Sequence, residues 1–355
     1  MAKPRFHDLI INSVRQDTSE CLELNFTVPA ELADEFAFIP GQYLTVRAEI
    51  NGEDVRRSYS ICSPVGTVGI SIGLKRIAGG AFSGFATGLK RGDLMSVMSP
   101  QGRFTANIGG THHYLLLAAG SGVTPIKSIA QSVLEGEPDS TVTLCYANRN
   151  TQSVMFRQAF DDLKDQFLTR FSMTYVMDEE AQDVSLFNGR MDAEKLNTMA
   201  IRGLITPLEY DAIYICGPQP MIEAASEALA SLGVDKDRIK FELFTPSTPL
   251  QIASTKEQKI PLEGALIQVI LDGATRSFRM MPDQPLLDAA TQSGLELPYS
   301  CANGMCATCR CKLADGKGNM VQNFSLEAWE MDKGFVLACQ FQPHSKTVVL
   351  DFDAV

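Results

Sequence analysis

The sequence predicts a multidomain chain of 355 residues: an antiparallel β-barrel, an α/β domain with a parallel sheet, and a small α+β domain. Over residues 1–106, short β-like runs alternate with glycine and proline turns, which is typical of a small barrel. Over residues 107–245, apolar strands alternate with amphipathic helices, which favours an open parallel sheet. A linker over 246–262 and a third domain over 263–355 complete the prediction.

The predicted elements follow in chain order. The barrel strands are CLELNFTV, QYLTVRAEI, RRSYSIC, VGISIGLK and DLMSVMSP. The parallel strands are HYLLLAA, TVTLCYA, RFSMTYV, YDAIYIC and KFELF, with helices at IKSIAQSVLEG, SVMFRQAFDDLKDQF and QPMIEAASEALASLG. In the third domain, LIQVILDG and TRSFRMM form a hairpin, PLLDAATQSG a short helix and TVVLDFD a final strand.

Composition and charge exclude several classes of protein. The chain carries 31 basic and 42 acidic residues, a formal net charge of −11, and such a surface repels a phosphate backbone and anionic lipid. It has no apolar stretch of about 18 residues, and the start MAKPRFHDLIINSVRQDTSE lacks the apolar core of a signal peptide. We therefore expect a cytoplasmic protein that binds neither nucleic acid nor a membrane.

Four of the nine cysteines follow a spacing with chemical meaning. Cys301, Cys306 and Cys309 lie in the loop CANGMCATCRCKL, and 29 residues separate Cys309 from Cys339. This is the plant-type spacing for a 2Fe–2S cluster, in which thiolates hold two irons bridged by sulfide. A structural zinc site would instead use paired C-x2-C knuckles. We interpret Cys311, two residues after a ligand, as a packed thiol.

A glycine-rich turn follows the first parallel strand. Gly120, Gly122, Thr124 and Pro125 stand where that strand passes into a helix. Glycines there let the backbone approach a pyrophosphate, and the helix N-terminus supplies N–H donors. Such turns are also common without any ligand, so the motif alone leaves both interpretations open.

Two short motifs in the barrel region have both a ligand-binding and a plain structural interpretation. In Arg57-Ser58-Tyr59-Ser60, the arginine can pair with a phosphate and the tyrosine can stack on a flat ring system. Gly79-Gly80-Ala81-Phe82-Ser83 is a candidate anion-binding loop. Taken alone, the first is an ordinary strand and the second a turn.

Two further motifs end parallel strands. Cys216-Gly217-Pro218 follows AIYI, and Glu242-Leu243-Phe244 ends the last strand of the domain. Ligands of open α/β sheets bind beyond the carboxyl ends of the strands, which is where both motifs lie. A buried thiol beside a turn, and a strand end with one core aromatic, are the alternatives.

The order of these five motifs resembles the ferredoxin–NADP reductase superfamily over residues 1–245, and 263–355 resembles a plant-type ferredoxin with its β-grasp fold. The flavin–nicotinamide–ferredoxin order is similar to that of the one-component reductases of bacterial oxygenases. Within these, the chain most resembles the phenylacetyl-CoA epoxygenase reductases of aromatic catabolism. The supporting stretches are ANRNTQSVMF, NGRMDAEKLN and GNMVQNFSLEAWEMDKGFVLACQFQP.

The resemblance implies three cofactors or substrates: FAD, NAD(P)H and a 2Fe–2S cluster. It implies catalytic roles beside the flavin and nicotinamide for Tyr59, Cys216, Glu242 and Phe244. The FAD residues would be Arg57, Ser58, Tyr59, Ser60, Gly80 and Ser83. The dinucleotide residues would be Gly120, Gly122, Thr124, Pro125, Asn148, Arg149, Asp178, Gly217 and Pro218.

The stretch at 177–180 departs from the NADP-preferring members of the superfamily. Those members commonly carry Ser-Arg there to bind the 2′-phosphate, whereas this chain reads Met-Asp-Glu-Glu. A carboxylate such as Asp178 accepts the ribose 2′-OH of NADH and repels a 2′-phosphate. The sequence therefore leaves the choice between NADH and NADPH open.

The function implied is electron transfer to an oxygenase. A hydride would pass from NAD(P)H to FAD, and single electrons through the 2Fe–2S cluster to the oxygenase component. Residues 263–355 hold seven basic and eleven acidic residues, which suits a basic docking patch on that partner.

Alternative acceptors are a Rieske-type or quaternary-amine demethylating oxygenase, or a hybrid-cluster protein. An iron–sulfur redox-sensing module is a more distant alternative.

Overall fold

The computed structural model describes residues 5–244 and 264–354. The chain divides into two compact units, residues 1–247 and 248–355. The predicted linker, 246–262, lies outside the described residues. In the described part of the chain, no helix has the length and apolar character needed to cross a membrane.

The first unit begins with an antiparallel sheet in the order β4-β3-β6-β1-β2-β5. A bridge between Ile61, just after β4, and Ile72 of β5 connects the two ends of this order, so the sheet closes into the predicted barrel. A short helix, α1, lies between β5 and β6. The bounds are β1 Phe6–Thr18, β2 Cys21–Thr27, β3 Tyr43–Ile50, β4 Glu53–Ser60, β5 Ile70–Lys75, α1 Ala81–Phe85 and β6 Leu94–Gln101.

Strand β1 is not among the strands that the sequence predicts. Its thirteen residues, FHDLIINSVRQDT, bury only Leu9 and Ile11 completely, and its far half carries Arg15 and Asp17. The apolar alternation therefore covers less than half of the strand. Pairing with β2 and β6 on its two sides supplies the backbone hydrogen bonds that the side-chain pattern does not indicate.

The second half of the first unit is a parallel sheet in the order β11-β10-β7-β8-β9, as predicted. The chain passes from β7 to β8 and β9, then crosses to β10 on the other side of β7. The bounds are β7 His113–Ala119, α2 Val123–Gly136, β8 Thr141–Asn148, α3 Arg157–Gln166, β9 Phe171–Met177, α4 Ala193–Ile201, β10 Ala212–Gly217, α5 Gln219–Ser231 and β11 Ile239–Leu243. The reversal of strand order between β7 and β10 makes the crevice where such sheets bind ligands.

Helices cover both faces of this sheet. Leu116, Leu144 and Tyr214 pack with α2 and α3 on one face, whereas Leu115 and Ile215 pack with α4 and α5 on the other. Because successive strand residues point to opposite faces, both faces of these strands are apolar. This burial explains why the parallel strands appear in the sequence as continuous apolar runs.

The second unit is the predicted α+β domain. A five-stranded mixed sheet has the order β13-β12-β18-β14-β16, with β12 and β18 parallel, and β15 pairs with β17. In the predicted hairpin, Asp272 and Gly273 both adopt positive φ, the conformation of a two-residue type I′ turn. The bounds are β12 Ala265–Leu271, β13 Ala274–Met280, α6 Leu286–Gln292, β14 Arg310–Asp315, β15 Gly318–Met320, α7 Ala328–Asp332, β16 Phe335–Leu337, β17 Phe341–Pro343 and β18 Thr347–Asp351.

Candidate redox sites

The glycine-rich turn lies at the crevice between β7 and β10. Residues Gly120–Gly122 form one 3₁₀ turn, and α2 begins at Val123 without a side-chain cap from the described residues. A Cβ on Gly122 would lie 2.2 Å from the backbone oxygen of Cys216, so only glycine fits there. A bare glycine backbone at the start of a helix fits the close approach of an anionic pyrophosphate.

The Cys216-Gly217 strand end lies against this turn and beside Glu242. Cys216 is fully buried, and its register partner across β10 and β11 is Glu242. Burial, and then the Glu242 carboxylate, raises the pKa of the Cys216 thiol well above its ordinary value. The thiol is therefore neutral at physiological pH.

Ser60 connects the barrel to this strand end. Its hydroxyl donates to Glu242 Oε2 at 3.4 Å, although the two residues are 182 positions apart in the sequence. The structure thus brings together Ser60, Cys216 and Glu242, three of the predicted flavin and nicotinamide residues. Phe244 is partly buried and packs against the core of the α/β domain.

Arg57 and Tyr59 lie on the same face of β4, since alternate strand residues point the same way. Arg57 is exposed and donates to the carbonyl of Arg56 at 2.7 Å. Tyr59 is half-buried with its ring centroid 5.7 Å from that of Phe82, and burial raises the pKa of its phenol. A cation and an aromatic face on one side of a strand fit a phosphate and a flat ring system.

Ser83 closes its own loop. Its hydroxyl accepts from the backbone N–H of Ile77 at 3.1 Å and lies 3.3 Å from the carbonyl oxygen of Gly80. A Cβ on Gly80 would lie 2.6 Å from that hydroxyl. The loop is therefore shaped by Ser83, and a contact of Ser83 with the FAD pyrophosphate stays a prediction.

The carboxyl ends of β8 and β9 carry the other predicted dinucleotide residues. Asn148 is 7% exposed, and neither its amide oxygen nor its amide nitrogen has a partner among the described residues. Because unpaired buried amides are costly, this side chain fits a polar group of a bound dinucleotide. Arg149 pairs with Glu20 of the barrel at 2.7 Å, and Asp178 pairs with Arg190 at 3.3 Å.

The four predicted cluster ligands form two pairs. The Cys301 N–H lies 3.5 Å from the Cys306 sulfur, and the Cys339 N–H lies 3.5 Å from the Cys309 sulfur. Hydrogen bonds within each pair lower the pKa of Cys306 and that of Cys339. The pairing of Cys301 with Cys306 and of Cys309 with Cys339 suits a cluster held by two pairs of thiolates.

The loop around these thiols has a left-handed backbone at three positions. Ala302, Gly304 and Ala307 have φ values of 56°, 74° and 55°, and the Asn303 N–H points at the Cys301 sulfur from 3.4 Å. Non-glycine residues in this region are strained and are concentrated at functional sites. The curled backbone supplies N–H donors to sulfur, which fits a negatively charged cluster.

Residues outside the sequence motifs support this loop. Arg310 donates to Glu330 at 2.7 Å and lies over the Phe335 ring, and Glu330 is fully buried in α7. Trp329, next to it, is half-exposed. Cys311 is completely buried in the core of the unit, as its interpretation as a packed thiol requires. No local signal predicts the Arg310–Glu330 pair, because its partners are 20 residues apart.

Three family models match the chain in domain order: an oxidoreductase FAD-binding domain over 10–106, an oxidoreductase NAD-binding domain over 116–227, and a 2Fe-2S iron-sulfur cluster binding domain over 269–344. The chain is therefore an oxidoreductase with FAD-binding, NAD-binding and 2Fe–2S domains. The predicted fold classes and cofactors are confirmed at this level.

Similar proteins show more narrowly which kind of oxidoreductase the chain is. The chain is 40% identical to a component of the 1,2-phenylacetyl-CoA epoxidase from Escherichia coli (strain K12), covering 98% of each chain. It is 34% identical to the ferredoxin reductase component of 3-ketosteroid-9-alpha-monooxygenase from Mycobacterium tuberculosis (strain ATCC 25618 / H37Rv), covering 98% and 96%. The solved structure of phthalate dioxygenase reductase shares the fold, with a TM-score of 0.58 and 21% identity over 98% of each chain. The chain belongs to the family of these oxygenase reductase components.

Proposed function

We propose that this protein is an NAD(P)H-dependent reductase that supplies single electrons to an oxygenase, and that its partner is of the phenylacetyl-CoA epoxidase type. The observation that carries the proposal is the meeting of Ser60 with Glu242 beside Cys216, at the crevice that the glycine-rich turn borders. This contact supports a site at which flavin-side and nicotinamide-side residues meet. The 40% identity to the epoxidase component supports the choice of partner.

The chain's own residues would bind and orient the hydride donor, NAD(P)H, and the hydride acceptor, FAD. Bound FAD supplies the exchange between a hydride donor and one-electron carriers, and a bound cluster supplies single-electron transfer. Arg57 and Tyr59 would hold the flavin, and the turn at Gly120–Gly122 the pyrophosphate of the dinucleotide. The buried, neutral Cys216 thiol would help to exclude water beside a bound nicotinamide, and the Ser60 hydroxyl keeps its proton in the hydrogen bond that it donates to Glu242.

The partner and the location follow from charge and thiol chemistry. The excess of acidic over basic residues in 263–355 would attract a basic patch on the oxygenase. We place the protein in the cytoplasm, because free thiols and cluster ligands persist in a reducing compartment.

Two measurements test this proposal in turn. First, the purified protein is expected to show flavin absorbance and to reduce cytochrome c with NAD(P)H. A protein that shows neither flavin absorbance nor cytochrome c reduction would contradict the reductase interpretation. The purified protein is then mixed with the oxygenase component of the Escherichia coli epoxidase and phenylacetyl-CoA. Substrate-dependent NAD(P)H consumption with epoxide formation supports the partner, whereas reduction of cytochrome c without any epoxide overturns that choice alone.

Asp178→Ala is expected to shift the nucleotide preference toward NADPH. The substitution removes a carboxylate that repels a 2′-phosphate, and it frees Arg190, which Asp178 now holds at 3.3 Å, to pair with that phosphate. We expect the ratio of kcat/KM for NADPH to that for NADH to rise about tenfold, or ~1.4 kcal/mol. The matched control is Glu179→Ala, an exposed neighbouring carboxylate. Equal ratios in both variants and the native protein would show that Asp178 does not set the preference.

A further inference from the structure

A buried lysine joins helix α2 to the barrel. Lys127 is 6% exposed, and its Nζ donates to the backbone carbonyl of Cys62 at 2.8 Å. The same Nζ lies 3.4 Å from Gln131 Oε1 and 5.3 Å above the Phe156 ring. Burying an ammonium group is costly unless it is paired, so a packed apolar side chain would be the simpler way to fill this place.

Further contacts surround Lys127 at the same junction. The Ser128 hydroxyl donates to the carbonyl of Ser63 at 2.7 Å, and Ser132 accepts from the backbone N–H of Val65 at 3.1 Å. A Cβ on Gly73 of β5 would lie 2.7 Å from Thr124 Cγ2. The barrel therefore touches the first turn of α2 directly, and the junction leaves little room for α2 to shift.

The junction lies between the two halves of the hydride-transfer site. Cys62, the acceptor, follows Ser60 by two residues on the barrel side. Lys127, the donor, follows Thr124 and Pro125 of the glycine-rich turn. One hydrogen bond therefore spans from the segment that carries Ser60 to the helix that carries the predicted pyrophosphate turn.

We propose that Lys127 is a positioning residue, which fixes the distance between the pyrophosphate turn and Ser60 and thereby aligns the nicotinamide with the flavin. The inference rests on the proposed function. The hydrogen bonds of Lys127 reach Cys62 and Gln131 rather than the turn or the Ser60–Glu242 pair, so it acts through Cys62. Its loss would leave the grip on the dinucleotide's phosphates in place and disturb the alignment at the reacting atoms.

The test compares three variants of the FAD-loaded, full-length protein. Lys127→Met removes the donor, and Lys127→Arg keeps a donor and the charge. Lys164→Met removes the hydrogen bonds that another lysine donates to backbone carbonyls, those of Leu168 at 3.3 Å and of Phe171. Anaerobic rapid mixing with NADH and NADPH gives the rate constant of flavin reduction. Titration calorimetry gives the Kd of NAD⁺ and NADP⁺, and thermal unfolding gives Tm.

Lys127→Met is expected to slow flavin reduction about 10- to 100-fold, because reacting atoms displaced by about 1 Å lose that much rate. Its Kd for the oxidised dinucleotides should stay near that of the native protein. Lys127→Arg should restore most of the rate, and Lys164→Met should lower Tm without changing the rate. Native-like flavin reduction in Lys127→Met, or equal slowing in Lys164→Met, would overturn the proposal.

If Lys127→Met does not retain FAD, Lys127→Gln decides the question, since it keeps an N–H donor without the charge. A rate constant of flavin reduction that is measurable but lower than that of the native protein supports the positioning role. An unchanged rate constant contradicts it. Failure of the native protein to reduce its flavin with NAD(P)H would instead reject the proposed function.

Discussion

Replacing Cys306 by serine is expected to remove the 2Fe–2S cluster and to abolish cytochrome c reduction, while NAD(P)H-dependent ferricyanide reduction stays largely intact. Cys306 forms one of the two thiol pairs with Cys301, and a serine hydroxyl is a poor ligand for iron. The flavin and dinucleotide residues belong to the other compact unit and keep their own contacts. Iron content, the visible spectrum and the two acceptor assays measure the result.

Cys311→Ala is the matched control for this variant. Cys311 lies two residues beyond the ligand Cys309, is fully buried in the core and pairs with Val336 across β14 and β16. Removing its sulfur should cost about 1 kcal/mol of unfolding free energy and leave the cluster in place. If Cys306→Ser lowered ferricyanide and cytochrome c reduction equally, the proposed electron order would be refuted.

Gly122→Ala is expected to lower the rate of flavin reduction by NAD(P)H at least about 100-fold, since displacements near 1 Å at the reacting atoms have that effect. The new Cβ would lie 2.2 Å from the carbonyl oxygen of Cys216 and 2.9 Å from the backbone nitrogen of Gly217. These are backbone atoms, which cannot rotate away. The turn and the end of β10 must therefore move apart, and the Kd of NADP⁺ and NAD⁺ should rise as well.

Gly203→Ala controls for the general cost of adding a Cβ at a glycine. Gly203 has φ +69° at the turn after α4, and within the described residues no atom beyond its chain neighbours lies within 4 Å of the place its Cβ would take. The substitution should cost about 1–2 kcal/mol of unfolding free energy through backbone strain alone, with flavin reduction unchanged. Equal losses of activity in the two variants would show that the effect at Gly122 is not steric contact with Cys216.

The sequence predicts a strand or helix accurately where one hydrophobic pattern covers the whole element. HYLLLAA is β7 residue for residue, because a strand buried on both faces is apolar throughout. Helix α4 was not predicted, since it buries only Leu196 and Met199 and has a polar remainder. Strand β14 begins inside the cysteine-rich loop, where the cysteines interrupt the alternation of apolar and polar residues that would indicate a strand.

The candidate sites likewise include residues that the local sequence indicates and contacts that it does not. The spacing of Cys301, Cys306 and Cys309 lies within nine residues, so the local sequence is enough to propose them as ligands, and their role as ligands stays a prediction. The contact of Ser60 with Glu242 spans 182 positions, and that of Lys127 with Cys62 spans 65. No local pattern encodes either pair, since only the packing of the barrel against α2 and β11 creates them. Arg190 was likewise found only through its contact with Asp178.

Trp329 gives the second compact unit an optical label of its own. It is the single tryptophan of the chain, and it is 49% exposed in α7, next to the buried Glu330. Tryptophan fluorescence therefore arises entirely from the iron–sulfur unit, whereas flavin fluorescence would arise from the other. The unfolding of each unit can thus be followed separately in one sample of the native protein, without an introduced dye.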